Sequence, residues 1–222
     1  MSAGDIAATR EERRPRGRLD KRQAIMDAGL RVFAREGYER ASVDAIAAEA
    51  GVAKPTIYNH LGGKENLFRE VMLGLARAAN AKFLAALESF PSDPSGPAEL
   101  REQLLAVAPR LVDCYHEPES WARQRLLYAE SGRFPDLFPA VLAAGTGQGL
   151  EVLAGRLARL ANAGHLEIAD PVRAAGQFLA LLTHELPGLS QLGERPIGDD
   201  VLAGVIEAGI DTFLRAFSPR PA

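Results

Sequence analysis

Hydrophobic positions recur along the chain with the 3.6-residue period of helices, and no convincing run has the period of two that marks a half-buried strand. Ile25, Ala28, Gly29, Val32 and Phe33 fall at i, i+3, i+4, i+7 and i+8, which is one helix face, while Asp27, Arg31 and Arg35 take the other side. Gly37 is a suitable stop. Ser42 is a good N-cap, and Asp44 suits the first turn of the next helix. Val43, Ile46, Ala47 and Ala50 give that helix a buried stripe, which Gly51 ends. A third short helix carries Pro55 in its first turn, where a missing N–H is tolerated, and Gly62-Gly63 closes it.

From Lys64 the pattern stays helical towards Phe90, and Pro91 to Pro97 reads as a loop. Further helices are expected near 98–114, 119–131, 136–144 and 148–163. Asp170-Pro171 is an N-cap followed by Pro at the first helical position, and starts a helix running towards Leu192 that Pro187 kinks or ends. A last helix spans about 199–217 and stops at Ser218-Pro219. The expected fold class is therefore all-α, with a three-helix domain at 19–69 and a larger helical domain at 70–222. Residues 1–18, with Arg10, Arg13, Arg14, Arg16 and Arg18, read as a flexible basic arm. Such an arm is either a solvated tail or a segment that reaches a DNA minor groove.

Composition narrows the class. Of 222 residues, 47% are apolar and 25% charged, which excludes wholesale disorder, and the single Cys114 cannot form an internal disulfide. The first twenty residues have no apolar run, so no secretory leader is expected. The apolar stretches are broken by charge, Gly or Pro short of the ~18 residues a membrane span needs, so the expectation is a cytoplasmic protein without membrane contact. Net charge is −3, unevenly placed: residues 1–69 hold 13 Lys+Arg against 10 Asp+Glu, and residues 70–222 hold 13 against 19. A basic first third is compatible with a polyanionic partner despite the acidic total.

Residues 42–61 have helix-turn-helix spacing, two short helices about a tight Gly51-Val52 turn. In such a unit the first helix buttresses the second, which enters the major groove. At 100° per residue, Ile57 and Leu61 point one way and pack inside. Pro55 and Asn59 point opposite, flanked by Thr56 and Tyr58. Asn can bond adenine at two atoms, Thr can reach a base edge or phosphate, and Pro or Tyr can touch a thymine methyl. Lys54, His60 and Lys64 stand at the ends, where phosphate strands would pass. Ser42 at its free helix N-terminus suits another phosphate.

These residues carry a resemblance. Residues 19–69, and above all G-V-A-K-P-T-I-Y-N-H-L-G-G-K-E-N-L-F from Gly51 to Phe68, resemble the DNA-binding domain of TetR-family transcriptional regulators. The resemblance implies DNA-backbone contacts at Tyr58, Lys64 and His60 and a phosphate contact at Ser42. It implies base recognition at Lys54, Pro55, Thr56 and Asn59. Two departures stand out: Leu61 replaces a usual aromatic but keeps the packing role, and Pro55 removes a backbone donor where small residues are common. The remainder of such a chain forms a ligand-binding and dimerising domain, and W-A-R-Q-R-L-L-Y-A-E-S-G-R-F-P-D-L-F at 121–138 is similar to one subgroup of these. The resemblance thus implies a ligand-responsive regulator, most simply a homodimeric repressor of palindromic double-stranded operator DNA released by a small-molecule effector. An activator of the same family and a ligand-binding protein that does not read DNA are the alternatives.

In the second domain, Ala175, Phe178, Leu182, Leu186 and Leu189 form one wide stripe. Val201, Leu202, Val205, Ile206, Gly209, Ile210, Phe213, Leu214 and Phe217 form another. Packing of both on their copies in a second subunit gives a four-helix bundle, with Phe178, Leu182, Leu186, Leu189, Val205, Ile206, Ile210 and Phe213 as the expected interface. The alternative is that the two helices cover one another within a monomer. Tyr115, Trp121, Arg125, Tyr128, Phe134, Phe138, Phe178 and His184 are the candidates for lining an effector cavity, a mixture that suits a planar or amphipathic organic molecule.

Signals for catalysis are poor. Gly145-Thr146-Gly147-Gln148-Gly149 comes after a helical run and not a strand, which argues against a phosphate cradle. His184-Glu185 lacks the second histidine of a zinc helix, and the histidines at 60, 116, 165 and 184 have no metal spacing. No enzyme activity, metal or cofactor is expected. Cys114 is either a buried, inert thiol or a redox sensor.

Overall fold

The computed structural model describes residues 13–219, with side chains from Lys21 onward. All regular structure among the described residues is helical, without a strand. The chain divides into two compact units, one ending at Gly74 and one beginning at Leu75.

The first unit begins with α1 (Arg13–Arg40), broken at Gly37, where φ is 74°. The expected arm is thereby corrected: residues 13–18 are helical backbone, with Pro15 tolerated because it falls in the first turn. The rest of the arm, Arg10 included, lies outside the described residues. Next come α2 (Val43–Ala50) and α3 (Lys54–Leu61), then the start of α4 (Lys64–Leu87). Phe33, Tyr38 and Phe68 form the aromatic centre of this unit, with ring centroids 5.0 to 6.0 Å apart. Gly29 permits α1 and α4 to approach, since a Cβ there would stand 3.2 Å from Val71 Cγ2. Arg22 and Glu70 tie the same helices at 2.6 Å.

The second unit takes the end of α4 and then α5 (Pro97–His116), α6 (Pro118–Ala129), α7 (Leu137–Leu142), a π-helical turn (Ala143–Gly147) and α8 (Gln148–Asn162). It ends with α9 (Pro171–Thr183), α10 (Leu186–Ser190) and α11 (Asp199–Phe217). Asp170 caps α9 by accepting from Arg173 N at 3.0 Å, and Pro187 sits in the first turn of α10, so the helix expected to reach Leu192 is two helices. Helix α4 ends at Leu87 and not at Phe90. The segments near 136–144 and 148–163, expected apart, join through the π turn into one helical run, Leu137–Asn162. That run has the length and apolar composition of a membrane span, contrary to the expectation from sequence. Its stripe of Leu153, Ala154, Leu157 and Leu160 is nonetheless buried in the unit's core, as in a core helix.

Phe90, Phe178 and Phe213 stack edge to face in the centre of that core. Leu104, Leu111, Leu182, Leu186 and Ile210 are wholly buried around them. Arg101 and Asp211 clamp α5 to α11 through two hydrogen bonds of 2.6 and 3.2 Å.

Candidate nucleic-acid interface and ligand cavity

The local chemistry of 42–63 fixes the helix-turn-helix. Ser42 Oγ accepts from Ala45 N at 3.0 Å, closing the N-terminus of α2. Its hydroxyl hydrogen is left to donate outward. Gly51 takes the left-handed conformation (φ 65°), with Gly51 N bonding Ala48 O and Val52 N bonding Ala47 O, so the chain turns at once. Gly62 ends α3 in the same way at φ 69°, its N–H on Tyr58 O at 2.9 Å. Gly63, at φ 123°, lies against the Tyr58 ring, 3.4 Å from where its Cβ would stand. A side chain there would be strained and would push the ring aside.

On α3 the two sides separate as the wheel demands. Ile57 and Leu61 are 0% and 2% exposed, whereas Tyr58 is 49% exposed and Lys54, Pro55 and Asn59 are also exposed. Thr56 and His60 are half-buried beside them. The outward set is therefore contiguous on one face. Lys54 Nζ reaches Asp44 Oδ2 on α2, and that hydrogen bond raises its pKa. Lys64 Nζ donates to Glu39 O at 2.9 Å and stands 4.5 Å from the centre of the Tyr38 ring. An ammonium has three hydrogens, so this anchoring is compatible with a further contact to phosphate. On the far side of α2, Glu49 holds Arg31 and Arg35, and its carboxyl pKa is lowered chiefly by the Arg31 hydrogen bond.

In the second unit, α4, α5, α6 and α7 with the π turn enclose a cavity of about 180 Å³. Of the expected lining residues, Tyr115, Tyr128 and Phe138 meet there, Tyr128 at the exposed rim. Phe83 packs edge-on to Tyr115 at 6.1 Å, and Tyr128 lies 5.8 Å from Phe138. The other five candidates are corrected. Trp121 is buried against Gly193, whose φ of 89° and missing Cβ let the indole close in. Arg125 donates to Leu192 O and pairs with Glu194 at 3.5 Å. Phe134 and Phe178 are buried away from the cavity, and His184 faces an outer groove. Arg123, Gln124, Phe83 and Thr146 line the cavity, though none was among the lining residues expected from the sequence. Arg123 and Arg125 lie two residues apart on α6, about 200° around the helix, so the composition of that stretch alone could not choose between them.

Cys114 also lines the cavity. Burial pushes its thiol up to about 11, with Glu117 and Asp113 adding to the effect, and Sγ contacts Arg110 O at 3.2 Å. A thiol so protonated is a poor nucleophile and a poor redox sensor. Among the described residues no cluster of three or more His, Cys, Asp or Glu is placed to hold a metal.

The expected subunit interface is corrected as well. Phe178, Leu182, Leu186, Ile206, Ile210 and Phe213 are buried within the protomer, because α9 and α11 pack on each other and on α5. Leu189 is 40% exposed and Val205 is half-buried. The outer face of α9 and α11 instead forms an open groove lined by Gln177, Ala180, Leu181, His184, Glu185, Thr212, Ala216 and Phe217.

Two family models match this chain. Residues 25–71 match the tetR family of bacterial regulatory proteins, and residues 102–219 match the AefR-like transcriptional repressor C-terminal domain. The regulator EthR of Mycolicibacterium smegmatis is 32% identical over 91 residues, 38% of this chain and 42% of EthR, so the chain spans about two fifths of that relative's length. A solved protein of Mesorhizobium loti MAFF303099, described as a TetR-family transcriptional regulator, is 26% identical with a TM-score of 0.81, covering 91% of this chain and 98% of that one. The flavonoid-responsive regulator FrrA is 33% identical with a TM-score of 0.66, covering 90% and 98%.

Proposed function

The chain belongs to the tetR family of bacterial regulatory proteins, and from that premise we propose a cytoplasmic repressor that binds palindromic operator DNA as a homodimer and leaves it when a small molecule fills the cavity. The carrying observation is the division of α3, with Ile57 and Leu61 inside and Pro55, Tyr58 and Asn59 outside. A surface helix of a small domain gains nothing from that outward set unless something reads it. Thr56 and Asn59 supply base contacts, and Ser42, Lys54, Tyr58, His60 and Lys64 take phosphates.

A homodimer is required because two copies of α3 must reach half-sites ~34–36 Å apart, or a multiple of that. The outer face of α9 and α11, with Leu189 and Val205 and the groove between them, is the interface this reading assigns. Repression is favoured by the C-terminal domain, which matches a repressor model. The aromatic wall of the cavity suits a flat effector, and the name of FrrA attaches a flavonoid response to that relative. The effector acts by shifting populations towards a dimer whose recognition helices no longer fit the half-sites. Moving that balance from 1:99 to 99:1 takes ~10⁴-fold, or about 5.5 kcal/mol, of differential affinity.

A mobility shift of DNA from upstream of the chain's own gene, at low salt and without effector, tests the reading. A discrete slow complex is expected. Absence of any complex would leave a ligand-binding protein that does not read DNA.

A further inference from the structure

Arg123 places a positive charge on the wall of the cavity without a counter-ion. Its Nε is buried and has no hydrogen-bond partner. Among the described residues no carboxylate forms an ion pair with it. The acids near it in the chain are engaged elsewhere or stand outside the cavity. Glu117 pairs with Lys82, and Glu130 with Arg133. Glu119, with Glu117 and Lys82, shares a smaller cleft with Arg123, and neither acid lines the cavity itself. Burial lowers the pKa of Arg123, and Tyr115 is the one ionisable neighbour that opposes this. The Tyr115 phenol is itself pushed up to about 12, so it stays neutral and neutralises nothing. A guanidinium remains charged under such conditions; this one is half-buried, with its Nε shut off from water and unpaired, and an unsatisfied buried donor is costly. The rest of the lining includes the apolar Phe83, Phe138 and Val141. It fits a flat body and offers no charge of either sign.

We propose that the molecule this cavity takes is a small aromatic carboxylate, seated with its ring against Phe83 and Phe138 and its carboxylate on Arg123. The planar fork of a guanidinium matches a carboxylate with two parallel hydrogen bonds, which a neutral amide or ester cannot reproduce. Gln124, next to Arg123 on the wall, donates one amide hydrogen to Tyr115 O at 3.4 Å and keeps a second. This assignment rests on the cavity being the effector site, and it names the chemical class of effector.

Calorimetric titration of the full-length protein with 2-naphthoate and, separately, with 2-naphthamide tests it. The two probes share shape and differ in charge. Wild-type protein is expected to bind the acid about tenfold more tightly than the amide, or better. Arg123→Met is expected to erase that preference while keeping the amide's affinity, and Arg123→Lys to retain part of it. Equal affinities in the wild type overturn the assignment, as does a preference for the acid that survives Arg123→Met. Either result leaves the cavity a ligand site and leaves DNA binding, measured separately by mobility shift, untouched. Failure of both probes at millimolar concentration removes the cavity as a site for such molecules, and the assignment falls with it. The wild-type comparison needs no variant, so it stands even if Arg123→Met fails to fold.

Discussion

Lys54 Nζ lies 2.9 Å from Asp44 Oδ2, joining the first turn of α3 to the first turn of α2. Both side chains are exposed, so the pair adds little to stability. It also places a carboxylate beside a cation that the proposed function assigns to phosphate. Asp44→Asn should therefore strengthen binding to all DNA sequences and steepen the dependence of log K on log salt by about 1, as Lys54 becomes free for phosphate. In the Asp44→Asn background, Lys54→Ala should remove that gain and return the slope to about the wild-type value. Filter binding across a salt series reads both; an Asp44→Asn slope equal to wild type would mean that Lys54 does not face phosphate.

Asn59 and Thr56 are assigned to bases, and their removal should act differently. Asn59→Ala or Thr56→Ala should relax the preference at one operator position by ~1–3 kcal/mol while leaving the salt slope unchanged. Competition between operators with single base changes is the measurement. Uniform weakening on every sequence would move these residues from the bases to the backbone.

Close packing of α9 and α11 depends on Gly209. A Cβ there would stand 2.7 Å from Leu181 O, a backbone atom that cannot swing away. Gly209→Ala should lower stability by about 1–3 kcal/mol from overpacking, more than offsetting the ~1 kcal/mol that Ala gains over Gly in a helix. Gly155, on α8 with nothing within 4 Å of its would-be Cβ, is the control, and Gly155→Ala should be neutral or stabilising. Urea denaturation distinguishes them. A stable Gly209→Ala would show that the two helices can part without cost.

The raised Cys114 thiol has a signed consequence. The ordinary thiol pKa is 9.0, and the folded value is about 11. From pH 9 to 11 the unfolded chain therefore ionises first, and the contribution of this group to stability is lost as pH rises through that window. The melting temperature of wild type should fall more steeply from pH 9 to 11 than that of Cys114→Ser, and iodoacetamide should label the native thiol slowly at pH 8. Parallel melting curves with rapid labelling would make Cys114 an ordinary exposed thiol.

The first unit was largely legible in the sequence because short-range chemistry determines it. Ser42 caps, Gly51 and Gly62 reverse the chain, and the spacing of Ile57 and Leu61 dictates which side of α3 is buried. The second unit was legible only as a set of helices. Each of its stripes must pack on something, but periodicity does not say on what. Phe178, Leu182 and Phe213 meet residues of their own chain where a second subunit was expected, since α5 supplies the missing surface. Arg123 escaped notice for the same reason. Its role depends on where α4 and α7 lie, which nothing local to α6 encodes. Residues 13–18 are helical because a proline in the first turn does not break a helix.

The central claim is that the outward face of α3 reads a specific duplex in two copies. Selection of bound duplexes from a random pool by the full-length protein, without effector, tests it most directly. The predicted result is enrichment of one inverted repeat whose half-site centres lie about one helical turn apart, or a multiple of it. A pool that stays random after repeated rounds at low salt, or one that converges on a single unrepeated site, would contradict it.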